Sequence, residues 1–152
     1  MTPDENLIKF NYQLPEASEP GGSYVSVNIR GSIAYIAIQF PILSGEYLYL
    51  GRLGEGLTTN DGFKAIELCA LNVLAQVRKV IGFDKLVGLN HIDVYYQSGP
   101  DWDDAPKMAN GASELFVKIF EEKGQHSRAI FGVDKLPRNF SVGLTASFTI
   151  KE

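Results

Sequence analysis

Two amphipathic stretches of roughly twenty residues, either side of one long apolar segment, constrain this chain more than any other feature. The first follows Thr58, with Asp61 three residues on as an approximate capping box. It carries Phe63, Ile66, Ala70, Leu71, Leu74, Val77 and Ile81 at three- and four-residue spacing. Arg78 and Lys79 suit its last turns and Gly82 supplies a stop. The second runs from about Asp103 to Lys123, with Met108, Ala112, Leu115, Phe116, Ile119 and Phe120 on one face. Pro106 fits only its first turn, and Gly124 ends it. Each helix presents one apolar stripe that must be buried against another layer.

The remaining segments supply strands for that layer. Tyr24 to Arg30 alternates Tyr, Val, Val and Ile with polar residues, a half-buried strand, and Ile33 to Ile38 is more apolar. The Arg30-Gly31-Ser32 link is short enough for a hairpin. Pro41 ends the second strand, and Gly45 to Gly56 is a glycine-punctuated connection in which Tyr47 to Leu50 is extended. Leu86 to Tyr96 is a third, longer strand. Ser127–Val133 and Phe140–Ile150 are rich in β-branched and aromatic residues around Pro137 and Asn139, and read as a closing hairpin. Residues 1–22 read as an extended arm, with Leu7, Ile8 and Phe10 as a short edge strand. The order β-β-α-β-α-β-β predicts an α+β, two-layer domain over 1–152: a single mixed β-sheet covered on one face by two helices. Apolar residues on its other face would favour self-association.

Composition narrows the classes. At 152 residues, 45% hydrophobic and 21% charged, the chain can bury a continuous core. A net charge of −4 disfavours polyanionic partners, so nucleic acid is not expected. One cysteine excludes an internal disulfide and fits a reducing compartment. The polar N-terminus does not resemble a signal peptide, and no stretch is long and apolar enough for a membrane. The expected location is cytoplasmic. His91 and His126 have no second ligand at metal spacing, so no metal is expected. Cys69 beside the first helix's stripe reads as core, and Trp102 among Asp101, Asp103 and Asp104 as a helix cap. Gly51 to Gly56 lacks the Lys-Ser/Thr of a phosphate loop and reads as a flexible loop or a lip over a cleft.

The candidate chemistry centres on Arg128. If Val133 pairs with Phe140, then Arg128 falls opposite Thr145 and Ile130 opposite Gly143, placing all four on one face. A one-residue slip on either arm would separate them. A guanidinium there is either a solvated or acid-paired strand-end arginine, or the bidentate anchor of a small carboxylic acid.

Ser127-Arg128 with Leu136-Pro137 and a following strand resembles the Arg…Leu-Pro…Glu signature of the RidA family, also called YjgF or endoribonuclease L-PSP. Tyr24, Gln39, Cys69-Ala70-Leu71-Asn72 and Asn110-Gly111-Ala112 match in the same order, and the similarity covers roughly residues 20–150. The resemblance implies a chorismate-mutase-like fold assembled as a homotrimer, with clefts between subunits that bind small carboxylates and no cofactor. Catalytic members hydrolyse reactive enamines or imines to ketoacids and ammonia. Carried over, Arg128 is the carboxylate anchor, while Tyr24 and Asn110 are cleft residues.

The departures concern the chemistry. Gly143 stands where active deaminases have glutamate, Thr145 at the next acidic position, and Ile130 where many have cysteine. Ala37-Ile38-Gln39 replaces Ser-Gly-Gln. The substrate-binding set is thus Arg128, Tyr24, Asn110, Ile130 and Gly143, with Arg128 and Thr145 as the catalytic positions. Thr145 is a poor base because its hydroxyl stays protonated at neutral pH. Binding of a carboxylic or imino acid is expected to survive better than hydrolysis. The alternatives are a non-enzymatic ligand-binding or regulatory protein and, against the acidic charge, an endoribonuclease. Chorismate mutase activity rests on fold analogy alone.

Overall fold

The computed structural model describes residues 1–152. Its main elements are α1 (Pro3–Lys9), β1 (Val27–Arg30), β2 (Ile33–Gln39), α2 (Thr59–Val80), β3 (Leu86–Tyr96), α3 (Ala105–Phe120), β4 (Ser127–Gly132) and β5 (Val142–Ile150). The strands form one mixed five-stranded sheet in the order β1-β2-β5-β3-β4. β5 runs antiparallel to both β2 and β3, and β4 runs parallel to β3. The fold class is therefore the expected α+β layer, with α2 and α3 on one face.

Local signals account for the helices. Thr58 Oγ1 accepts from the Asp61 backbone N–H at 3.0 Å, and the Asp61 carboxylate accepts from the Thr58 N–H at 2.8 Å. This capping box satisfies two donors that a helix start leaves free. Ile66, Val73, Leu74 and Val77 of α2 and Met108, Phe116 and Ile119 of α3 are fully buried. Removal from water contributes about 1.5–3 kcal/mol for each such large side chain. Gly111 lets the two helices meet, since a Cβ there would overlap the Phe63 carbonyl oxygen. The β1–β2 hairpin closes through Gly31-Ser32, with Gly31 at φ +59°.

Two expectations are corrected. Residues 3–9 are helical rather than an edge strand, capped by the Thr2 hydroxyl on the Glu5 N–H at 3.1 Å. Pro3 and the acidic pair Asp4-Glu5 suit a helix's first turn, and Asn6 fastens it to α3 by donating to the Ile119 carbonyl at 3.0 Å.

The second correction matters for function. Ser127–Ile150 is not a hairpin: β3 lies between its two arms and pairs with both. The long, apolar β3 has two free edges, and β5, with Val142, Leu144 and Phe148 fully buried, takes the central position. The register places Arg128 beside Ile92 and Ala146, and Ile130 beside Val94 and Leu144, on the helix-covered face. Gly143 aligns with Tyr95 and Thr145 with Asp93, on the opposite face. Arg128 and Ile130 therefore do not share a face with Gly143 and Thr145.

Candidate functional site

A cleft of about 530 Å³ opens where β2 ends and β5 begins. Tyr24, Phe40, Tyr47, Pro137, Arg138 and Phe140 form much of its wall. Buried amides hold that wall in place. Asn72 of α2 donates to the carbonyls of Phe40 and Ile42 at 2.9 and 3.0 Å, and Gln76 donates to the Ser18 carbonyl at 2.9 Å. On the other side, the buried Gln97 accepts from the Leu136 N–H at 2.7 Å and donates to Asn139 Oδ1 at 2.9 Å. The turn presenting Arg138 is thereby fixed, with Arg138 at φ 55° and Asn139 at φ 62°. Phe40 and Phe140 stack with centroids 4.5 Å apart and planes 7° from parallel.

Arg128 lies elsewhere. It is on the edge strand β4, two strand spacings of about 4.8 Å, or roughly 10 Å, from the central β5 at whose start the cleft opens. Its Nη1 donates to Asn110 Oδ1 at 2.8 Å and Ser113 Oγ at 3.2 Å, and its Nη2 to the Pro106 carbonyl at 3.3 Å. These contacts orient the guanidinium along α3 and leave its Nε–H and one Nη2–H unused. Ser113 Oγ also lies 2.9 Å from His126 Nε2. The Gly124 carbonyl, 2.6 Å from Nδ1, can only accept, so Nδ1 carries the proton and Nε2 accepts from Ser113. Burial, with the Arg128 charge adding to it, holds His126 below the usual histidine pKa. Of the candidates, Asn110 and Ile130 lie at this edge, and Tyr24 lines the cleft.

The opposite face places Thr145 in a different polar chain. Its hydroxyl donates to Asp93 Oδ2 at 3.3 Å, Asp93 Oδ1 lies 2.9 Å from His91 Nε2, and His91 Nδ1 lies 2.7 Å from Ser127 Oγ. Cys69 is fully buried and its thiol pKa is pushed well up by desolvation, so it packs in the core as expected. The Gly51–Gly56 segment packs against Ser98 and does not line the cleft.

Residues 4–149 match the family described as "YjgF/chorismate_mutase-like, putative endoribonuclease". The chain belongs to this family. It is 33% identical over 143 residues to Protein TCP17 of Trypanosoma cruzi, covering 93% of this chain and 89% of that protein. It superposes on the crystal structure of a "putative endoribonuclease" from Shewanella oneidensis with a TM-score of 0.96 at 30% identity, covering 99% and 100% of the two chains. E. coli TdcF, solved with bound serine, shares the fold at 18% identity and a TM-score of 0.58, over 91% and 94% of the chains.

Against that YjgF frame, Gly143 has a steric reason. A Cβ at this position would sit 2.8 Å from Ile38 Cδ1 and 3.0 Å from Phe40 Cε1. The space a side chain would need is occupied by the two residues flanking Gln39. Sequence reading missed Arg138 and Gln97. Arg138 follows Leu136-Pro137 directly, and that adjacency was the available signal; nothing local marks Gln97 as the residue that holds the turn.

Proposed function

We propose that this YjgF-family protein binds a small carboxylic or imino acid in a cleft completed by two copies of the chain. The supporting observation is the division of the candidates between two separate parts of one chain. Arg128, Asn110 and Ile130 lie at the β4 edge, and Tyr24 lies with Gly143's neighbours Ile38 and Phe40 at the cleft. Two different surfaces of one chain can meet only head to tail, and a head-to-tail contact that closes makes a ring. A homotrimer satisfies this geometry and agrees with the family resemblance. The α3 contacts pre-orient Arg128, and its unused Nε–H and Nη2–H suit a carboxylate. Serine bound to TdcF is a small carboxylate on the same fold.

Hydrolysis of an enamine or imine needs a group that activates water. At Gly143 that position is filled by hydrocarbon, and Thr145 is committed to Asp93. Turnover is therefore weak, and the reading is ligand binding with residual deaminase chemistry. The direct test is hydrolysis and binding of a short-chain 2-imino acid and its 2-oxo acid by wild type and Arg128→Ala, with the mass of each in solution. The expected result is a trimer, slow turnover, and binding at least tenfold weaker in the variant. Rapid turnover that survives in Arg128→Ala, or a wild-type monomer that binds equally well, would sink the proposal.

A further inference from the structure

We infer that Arg138 is a second anion-binding cation in this cleft, and that the acid it selects has a flat aromatic body. The inference deepens the reading above and rests on it for the location of the site, but its residues all come from one chain. Arg138 is exposed at the cleft and pairs with no carboxylate. Glu19, the only acidic residue in the lining, is 3.6 Å from Lys79 and is already partnered. The Arg138 guanidinium therefore has no carboxylate partner within the cleft.

Three further features point toward a ligand. Arg138 is held in the left-handed region at φ 55°, a conformation uncommon outside glycine and asparagine. Gln97 holds Leu136 and Asn139 on either side of it from beneath, so the backbone that carries the arginine is fixed by a buried hydrogen-bond network. The guanidinium carbon lies 5.9 Å from the Tyr47 ring centroid. Tyr47 in turn tilts against Phe140 at 4.9 Å, which stacks on Phe40.

The wall thus runs from a cation to a series of aromatic rings. A carboxylate reaching Arg138 leaves the rest of its molecule against the exposed Tyr47 ring, which the buried Phe140 backs from beneath. Aromatic pairs contribute beyond simple area burial, so a ring is favoured there over a short aliphatic chain. The cleft volume of about 530 Å³ accommodates such a molecule.

Phenylpyruvate and 2-oxobutyrate, titrated calorimetrically into the full-length protein, test this. Arg138→Asn removes the charge and tolerates the same backbone, and Tyr47→Leu removes the ring. The expected result is tighter wild-type binding of phenylpyruvate than of 2-oxobutyrate. Phenylpyruvate should weaken at least tenfold in Arg138→Asn and at least threefold in Tyr47→Leu, with 2-oxobutyrate little changed by Tyr47→Leu. Equal wild-type affinities, or phenylpyruvate binding unchanged in Arg138→Asn, would overturn the inference. If 2-oxobutyrate binding is still lost in Arg128→Ala, the broader carboxylate reading stands without it; if neither acid binds, both fall.

Discussion

The two candidate arginines, Arg128 and Arg138, carry the same group in opposite circumstances. Arg128 sits on a strand, and three hydrogen bonds hold its guanidinium to the first two turns of α3. Arg138 sits in a left-handed turn, and its guanidinium is engaged only by the Tyr47 ring. In the first case the backbone is regular and the side chain is fixed. In the second the backbone is fixed, by Gln97, and the side chain is free. A fixed guanidinium contributes both to folding and to orienting a ligand, whereas a free one contributes to binding alone. The two arginines should therefore separate when stability and binding are measured side by side.

The largest effect is expected where α3 is pressed against α2. Gly111→Ala places a methyl into the Phe63 carbonyl oxygen, which is backbone and cannot swing aside. Helix α3 must shift, and with it the Arg128 partners Asn110 and Ser113. Overpacking of this kind costs about 3 kcal/mol, read from the urea midpoint. Acid binding by whatever protein stays folded should weaken as well, because the α3 contacts that orient Arg128 move with the helix. A stability loss below about 1 kcal/mol would show that the helices are not in close backbone contact.

Next in size is the direct comparison. Arg128→Ala removes three charge-assisted contacts from a half-buried site. After discounting for solvent screening, about 1–2 kcal/mol should be lost. Arg138→Asn removes no intramolecular hydrogen bond and suits the left-handed turn, so its stability should stay within about 0.5 kcal/mol of wild type. Equal losses in the two variants would erase the distinction between a structural and a free guanidinium.

That distinction was only half legible in the sequence. Both long helices were readable because their signals are local: the Thr58–Asp61 box, the three- and four-residue spacing, Pro106 and the two glycine stops. Strand pairing is not local. Two β-rich arms around Pro137 and Asn139 look the same whether they pair with each other or flank a third strand. The hairpin expectation thus put Arg128 and Thr145 together, although β3 separates them and places them on opposite faces. Residue identity pointed to Arg128, Asn110 and Tyr24, while Arg138 gained its place from Gln97, which lies thirty-nine and forty-two residues before the two groups it holds. No spacing rule connects a buried glutamine to such a turn. Gly143 was legible as a departure, but its cause, the packing of Ile38 and Phe40, required coordinates.

The smallest predicted effect is electrostatic and tests whether the Arg128 edge acts as one unit. His126 has its pKa lowered from 6.5, chiefly by burial and secondarily by Arg128. A histidine whose folded pKa is depressed binds fewer protons in the native state than in the unfolded state. Its contribution to stability is therefore intact above pH 6.5 and is lost as pH falls from 6.5 toward the folded value. Protonation would also place a hydrogen on Nε2, so the Ser113 hydroxyl could no longer donate to it and would have to turn away. Replacing Arg128 by methionine removes the neighbouring charge but leaves the burial. The His126 ring resonances should then titrate at higher pH than in wild type while remaining below 6.5, and the loss of stability on acidification should shrink. Arg138→Asn, in the turn before β5, should leave that titration where it was. If the His126 titration does not move in Arg128→Met, the Arg128–Ser113–His126 contacts are not electrostatically coupled, and the fixed guanidinium acts through its bonds to Asn110 and Pro106 alone.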